Sequence, residues 1–174
     1  MSVPRTVPAP SPAPDDGAFS GEHYRRVMSA VPTSVAVVAG LGPDGRPVGL
    51  AVGTFISVSL DPPLICFCPG AGSSSWPEIR PGGRFCVNVL GSGQEDVCAV
   101  FAGKGRDKFA GIPWTPGANG APRLDGAVAW VECDLQDEYE AGDHTIAVGR
   151  VTRIDPGSGV PPLVFLGGRC LPVG

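Results

Sequence analysis

The stretch GLAVGTFISVSLDPPLICFCPG, residues 49–70, decides how this chain is read. Its middle sets Ile56, Val58 and Leu60 on one side and Ser57 and Ser59 on the other, the period of a strand. Pro62-Pro63 breaks the run, and LICFC (64–68) resumes as a fully apolar strand. Upstream, the runs SVAVVAG (34–40) and PVGLAVGTF (47–55) flank a turn at Pro43-Asp44-Gly45 and read as a hairpin.

Working outward, RFCVNVL (84–90) is a further strand. AVAWVECDLQDEYE (127–140) places Ala129, Val131, Cys133 and Leu135 on a buried face. Glu132, Asp134, Gln136 and Glu138 fall on a solvated one. Gly142-Asp143-His144 turns the chain into TIAVGRVTRI (145–154), and PLVFL (162–166) reads as the last strand.

Helices are few and short. Ser20 is placed to cap one, with Phe19 and Tyr24 at staple positions. Tyr24, Val27, Met28 and Val31 predict a buried stripe before a stop at Pro32. SSSWPEI (73–79) reads as a loop and a helical turn, and Gln94–Phe101 as a helix closed by Gly103 and Gly105. GIPWTPGANGAPRLDG (111–126) is too rich in Gly and Pro for regular structure. Residues 1–17, rich in Pro, Ala and Ser, read as a disordered tail before one domain over 18–174.

With 26 Gly and 20 Pro in 174 residues, the chain carries too many turn formers for a helical bundle. About seven strands with two or three short helices predict a mainly β, antiparallel barrel. The long crossover helices of a doubly wound sheet are missing, as is a strand-to-helix GxGxxG.

Net charge is −4 and the only lysines are Lys104 and Lys108, so no basic run exists to bind nucleic acid. No apolar stretch is long enough to span a bilayer, and the first residues lack an apolar signal region, so the expectation is a cytoplasmic protein with no membrane partner. The six cysteines lie mostly in apolar runs without a CxxC pair, and they read as reduced, largely buried thiols with no metal. Neither a GxSxG elbow nor a phosphate loop ending in Gly-Lys-Ser/Thr is present.

What remains is a set of small and hydroxylated residues. Ala51, Val52, Gly53 and Thr54, with Ser57 and Ser59, would let a planar ligand approach the backbone, or are simply strand residues near a bulge. Ser73-Ser74-Ser75 is either a phosphate cradle or a polar loop. Lys104, Arg106 and Lys108 form an anion site or a solvated segment, and His144 is a functional or an ordinary turn histidine.

Taken in order, GLAVGTFISVSLDPPLICFCPG, RFCVNVL, Asp107-Lys108-Phe109, AVAWVECDL, Gly142-Asp143-His144 with IAVGRV, and PLVFLGG resemble the flavin reductase family with an FMN-binding split barrel. These are the reductase components of two-component flavin-dependent monooxygenases, and the likeness spans roughly residues 20–172. It implies reduction of FAD or FMN by NADH or NADPH, with reduced flavin passed to a partner monooxygenase or halogenase. It also implies a homodimer with the flavin near the subunit interface.

By position, the resemblance puts residues 51–54 against the pyrimidine side of the ring and the ribityl chain, and Ser57, Val58 and Ser59 along its edge. It puts Ser73–Ser75 and Lys108 at the phosphate, and adds Phe101, Phe109 and Arg169 to the cofactor set. His144 becomes the catalytic residue beside the nicotinamide, with Asp143 and Thr145 shaping its pocket. Two departures stand out: Ala51 replaces a frequent Thr, and Gly168-Arg169-Cys170 replaces a frequent GG-x-Tyr. Arg150, Arg153 and Arg169 either meet a 2′-phosphate or are surface charge. Two further readings stay open: a flavin-bound reductase of ferric iron or a cob(II)alamin-type corrin, and a non-enzymatic flavin-binding module.

Overall fold

The computed structural model describes residues 19–105 and 107–173; the expected tail at 1–17 and Arg106 lie outside them. Strands β2 (Ala36–Leu41) and β3 (Pro47–Val52) form the expected hairpin, closed by Gly45 at φ +78°. β4 (Ile56–Leu60) and β5 (Pro63–Phe67) meet across a tight turn in which the Asp61–Pro62 peptide is cis. β6 (Arg84–Val89) and the long hairpin β9 (Ala129–Ala141) and β10 (His144–Pro156) complete an antiparallel seven-stranded sheet, ordered β3-β2-β6-β9-β10-β5-β4.

That order makes β3 and β4 the two outer strands, although they are consecutive in sequence. Residues 53–55 therefore join opposite edges, and the sheet must curl for so short a link to reach. Thr54 fastens the seam, its Oγ1 accepting from the Cys68 N–H at 2.8 Å. One apolar cluster fills the curl, uniting Leu50 and Val52 with Ile65, Phe67, Phe85, Val131 and Cys133. The molecule is a mainly β split barrel; the strand pattern predicts its antiparallel barrel and the family resemblance its split form.

Close packing sets local choices. A Cβ on Gly149 would lie 2.6 Å from Phe85 Cζ, so only glycine lets β10 cross that ring. Trp76 opens helix α2 (Trp76–Ile79) and packs edge-on against Phe67 with centroids 5.0 Å apart. Its indole N–H donates to Glu138 Oε1 at 2.8 Å. Glu138 belongs by simple alternation to the solvated face, but the β9–β10 register shifts between Val148 and Gly149, leaving Gln136 as the extra residue. A bulge of this kind exchanges the faces beyond it, so Glu138 turns in toward Trp76.

Four other expectations change. Glu132 is buried at 1% exposure, because the 117–121 loop folds over it and donates the Ala118 and Asn119 N–H groups at 3.1 and 2.8 Å. The Gly/Pro-rich segment holds a short hairpin of β7 (Trp114–Pro116) and β8 (Pro122–Leu124). PLVFL is not the last strand: β11 (Leu163–Leu166) turns at Gly167-Gly168 into β12 (Arg169–Pro172) and also pairs with β1 (Thr33–Ser34).

The fourth change concerns helix α1 (Gly21–Met28). Ser20 caps it and Phe19 stacks on Tyr24 as expected. Its apolar stripe is not buried, however: Tyr24, Val27, Met28 and Val31 are all exposed, because nothing among the described residues covers them. All six cysteines are free; Cys86 and Cys133 are fully buried and the other four partly so. Among the described residues no helix is long and apolar enough to cross a membrane.

Candidate functional site

The seam between the sheet edges opens into a groove of about 410 Å³. One wall is the end of β3 and the link after it, Leu50 to Thr54. The facing wall is the chain leaving β5, Cys68 to Gly70, with Gly72 and Ser73–Ser75. Helix α3 (Glu95–Ala102) supplies a floor through Phe101, Ala102 and Gly103. Most of the lining is backbone and small side chains, a surface on which a flat ligand can lie while meeting main-chain N–H and C=O groups.

A cation stands at one end. Lys108 is only 8% exposed, and its Nζ donates to Phe101 O at 2.9 Å and to Gly49 O and Ser75 Oγ at 3.4 Å each. Phe101 O is among the carbonyls left over at the end of α3, where a cation is favoured. All three acceptors are neutral, and no carboxylate pairs with Lys108 among the described residues. Burial accordingly lowers the Lys108 pKa from the usual lysine value. A buried ammonium that lacks a counter-charge and faces a groove suits an anion. Phe101 is held edge-on by Phe109 at 5.0 Å, and Phe109 by Trp114 at 6.0 Å, which fixes the floor beneath the lysine.

His144 stands at the opposite end. The β9–β10 turn is two residues long, with Gly142 at φ +63° as such hairpins require. Ala71 N–H donates to Asp143 O at 2.8 Å and Thr145 N–H to Pro69 O at 3.0 Å, so the turn is stitched to the groove wall. Asp143 Oδ1 lies 2.7 Å from His144 Nδ1, and this bond holds the Asp143 carboxyl below its usual pKa. An ionised carboxylate only accepts, so Nδ1 carries a proton and, in the neutral imidazole, Nε2 is left to accept from a ligand.

The groove thus gathers Ala51, Val52, Gly53, Thr54, Ser73, Ser74, Ser75, Phe101, Lys108 and His144 from the sequence-derived set. Phe109, Asp143 and Thr145 support it from behind. Ser57, Val58 and Ser59 lie on the outer strand β4, and Arg169 begins β12; none of the four lines the groove of one chain. Leu50, Cys68, Pro69, Gly70, Gly72, Ala102 and Gly103 line it without having been singled out, and Lys104, marked only as an anion candidate, joins them. Most of these contribute backbone, which leaves no side-chain signature in a sequence.

The family model for the flavin reductase like domain matches residues 28–174. A flavin reductase from Pseudomonas putida is 45% identical over 151 residues, which cover 87% of this chain and 89% of that protein. The NADH flavin reductase of Kitasatospora aureofaciens is 40% identical over 152 residues, 86% of this chain and 80% of the relative. The crystal structure of nitrilotriacetate monooxygenase component B from Mycobacterium thermoresistibile superposes with a TM-score of 0.84 at 38% identity, covering 88% and 86% of the two chains.

Proposed function

The chain belongs to the flavin reductase family, and from that premise we propose that its seam groove is where a flavin and a dihydronicotinamide meet. The protein is an NAD(P)H-dependent flavin reductase that supplies reduced flavin to a partner monooxygenase or halogenase. One observation carries the site assignment: a groove walled by bare strand backbone ends in a buried ammonium that no carboxylate among the described residues pairs with. Those residues fit a flavin, whose flat ring needs close main-chain approach and whose phosphate needs a cation.

When bound, the flavin supplies the hydride-accepting nitrogen of its ring, and the nicotinamide supplies the hydride. The protein's part is position and charge. Backbone from Leu50 to Thr54 receives the ring, and its N–H groups offset negative charge arising on the ring's pyrimidine side. Lys108, with Ser74 and Ser75, holds the phosphate and fixes how far along β3 the ring can slide. His144 Nε2 accepts from the nicotinamide carboxamide and sets its face against the flavin, a gain by orientation and not by proton transfer.

We propose further that the chain works in the cytoplasm as a homodimer. The exposed stripe of α1 and the outer strand β4, where Ile56 and Val58 stand more than half exposed and Leu60 91% exposed, support that reading. Pairing there would place Ser57, Val58, Ser59 and Arg169 at the subunit boundary. The functional assay is anaerobic oxidation of NADH or NADPH with and without added flavin. The expected result is turnover that saturates in free flavin and passes electrons to a separate acceptor. Flavin-independent turnover, or none, overturns the assignment.

A further inference from the structure

The groove does not stop at Lys108. Beyond the lysine a narrow neck of about 120 Å³ passes between Pro47–Gly49 and Ser74, Ser75 and Glu78. It opens into a bay of about 430 Å³ lined by Asp44, Arg46, Pro47, Val48, Glu78 and Asp107. Neck and flavin groove share Ser74, Ser75 and Lys108; neck and bay share Pro47, Val48 and Glu78. The three adjoin one another along β3, with Lys108 and Ser75 standing between groove and neck.

The strand serves as a ruler. At about 3.3 Å per residue, Gly49, where Lys108 reaches the wall, lies about 10 Å from Arg46. The ring wall at residues 51–54 lies on the other side of Gly49. A ligand whose ring occupies the seam and whose phosphate meets Lys108 therefore has room for one more nucleotide-sized unit beyond it.

We propose that the bay takes the adenosine end of a dinucleotide, so that the flavin this chain prefers is FAD; the inference rests on the flavin reading above. The chemistry of the lining matches. A ribose diol and an exocyclic amine are donors, and Glu78, Asp107 and Asp44 offer carboxylate acceptors. Arg46 offers a planar guanidinium to a second phosphate or to the adenine face. It is held for the task by Asp44, with Nε–H donating to Oδ2 at 2.6 Å and its own backbone N–H to Oδ1 at 3.1 Å.

NADH carries the same adenosine half, but the bay lies past Lys108, at the end away from His144. Covalent continuity from the flavin phosphate is the direct route into it.

The test is quenching of flavin fluorescence, without NADH, for FAD and FMN on the full chain and on the double variant Arg46→Ala/Glu78→Gln. Both side chains are exposed, and FMN binding reports whether the variant is folded. We expect FAD to bind at least about tenfold more tightly than FMN, the worth of one charge-assisted hydrogen bond, and the variant to erase that difference while FMN is unmoved. Equal affinities in the wild type, or a variant that leaves the ratio intact, overturn the inference and leave the flavin reading standing. A raised KM for NADH with an unchanged FAD-to-FMN ratio assigns the bay to NADH and likewise overturns it. If neither flavin binds, the flavin reading itself fails and takes this inference with it.

Discussion

Replacing Lys108 by Met separates the phosphate end of the groove from the ring end. The ammonium has three neutral acceptors, at 2.9, 3.4 and 3.4 Å, and is 8% exposed. Met keeps the length of the side chain and fills the same space. The folded state loses hydrogen bonds to the end of α3 but no longer buries an uncompensated charge, so stability should change by no more than about 1 kcal/mol. Binding should change far more. A charged hydrogen bond to phosphate is worth about 1.5–3 kcal/mol, which is about 10- to 150-fold in Kd for FMN. Riboflavin has the same ring and no phosphate, so its affinity should be unaffected.

The same logic gives a pH profile. Burial lowers the Lys108 pKa, and the lysine binds phosphate only when protonated. The advantage of FMN over riboflavin is therefore full near neutral pH, where the phosphate is doubly charged and the lysine protonated, and falls as pH rises through that depressed pKa. Paired titrations of FMN and riboflavin by fluorescence quenching read both effects. Equal weakening of the two ligands by Lys108→Met, or a ratio that ignores pH, would refute the reasoning.

His144→Ala removes one neutral acceptor from the nicotinamide end, so the KM for NADH should rise about 2- to 10-fold, with residual turnover and unchanged flavin affinity; steady-state kinetics with both substrates varied would show it. Glu132→Gln leaves one of two clamped loop N–H groups facing an amide NH2 and weakens the link to Arg123, 3.5 Å away. Urea denaturation should register a loss of about 2–3 kcal/mol with the m-value preserved. Burial pushes the Cys86 thiol up to about 12 and raises Cys133 as well. The folded state thus keeps protons that the unfolded chain sheds above about 9, so this stabilisation is complete below pH 9 and lost on raising pH toward 12. Cys86→Ala should make the alkaline slope shallower by about 1.4 kcal/mol per pH unit, measured by chemical denaturation from pH 8 to 11.

The strands that build the sheet were legible because their signals are local: alternation in β4 and β9, and apolar or β-branched runs in β2, β3, β5, β6 and β10. β1 and β12 were not, since two and four residues hold no period and exist as strands only through pairing with β11. Glu132 looked like a solvent-facing acid because its partners arrive from residues 118–123, and no local pattern announces a loop that folds back. The stripe on α1 was read as an apolar face correctly, but periodicity names a face and not what covers it.

At the site, side chains with distinctive chemistry were visible in the sequence. The wall from Cys68 to Gly72 was not, because what it presents is mostly main chain. Lys108 stood out as one of two lysines and through the Asp107-Lys108-Phe109 stretch; that no carboxylate among the described residues pairs with it is a three-dimensional fact. Ser57 and Ser59 were read on one side of β4, but Val58 is an extra residue opposite β5, so Ser57 pairs with Ile65 and Ser59 with Leu64 on opposite faces, and neither lines this groove.

A crystal structure of the chain grown with FMN bears most directly on the central claim. The account predicts the ring lying along Ala51–Thr54 and a phosphate oxygen within hydrogen-bonding distance of Lys108 Nζ. A flavin seated elsewhere, or a phosphate turned away from Lys108, would contradict it.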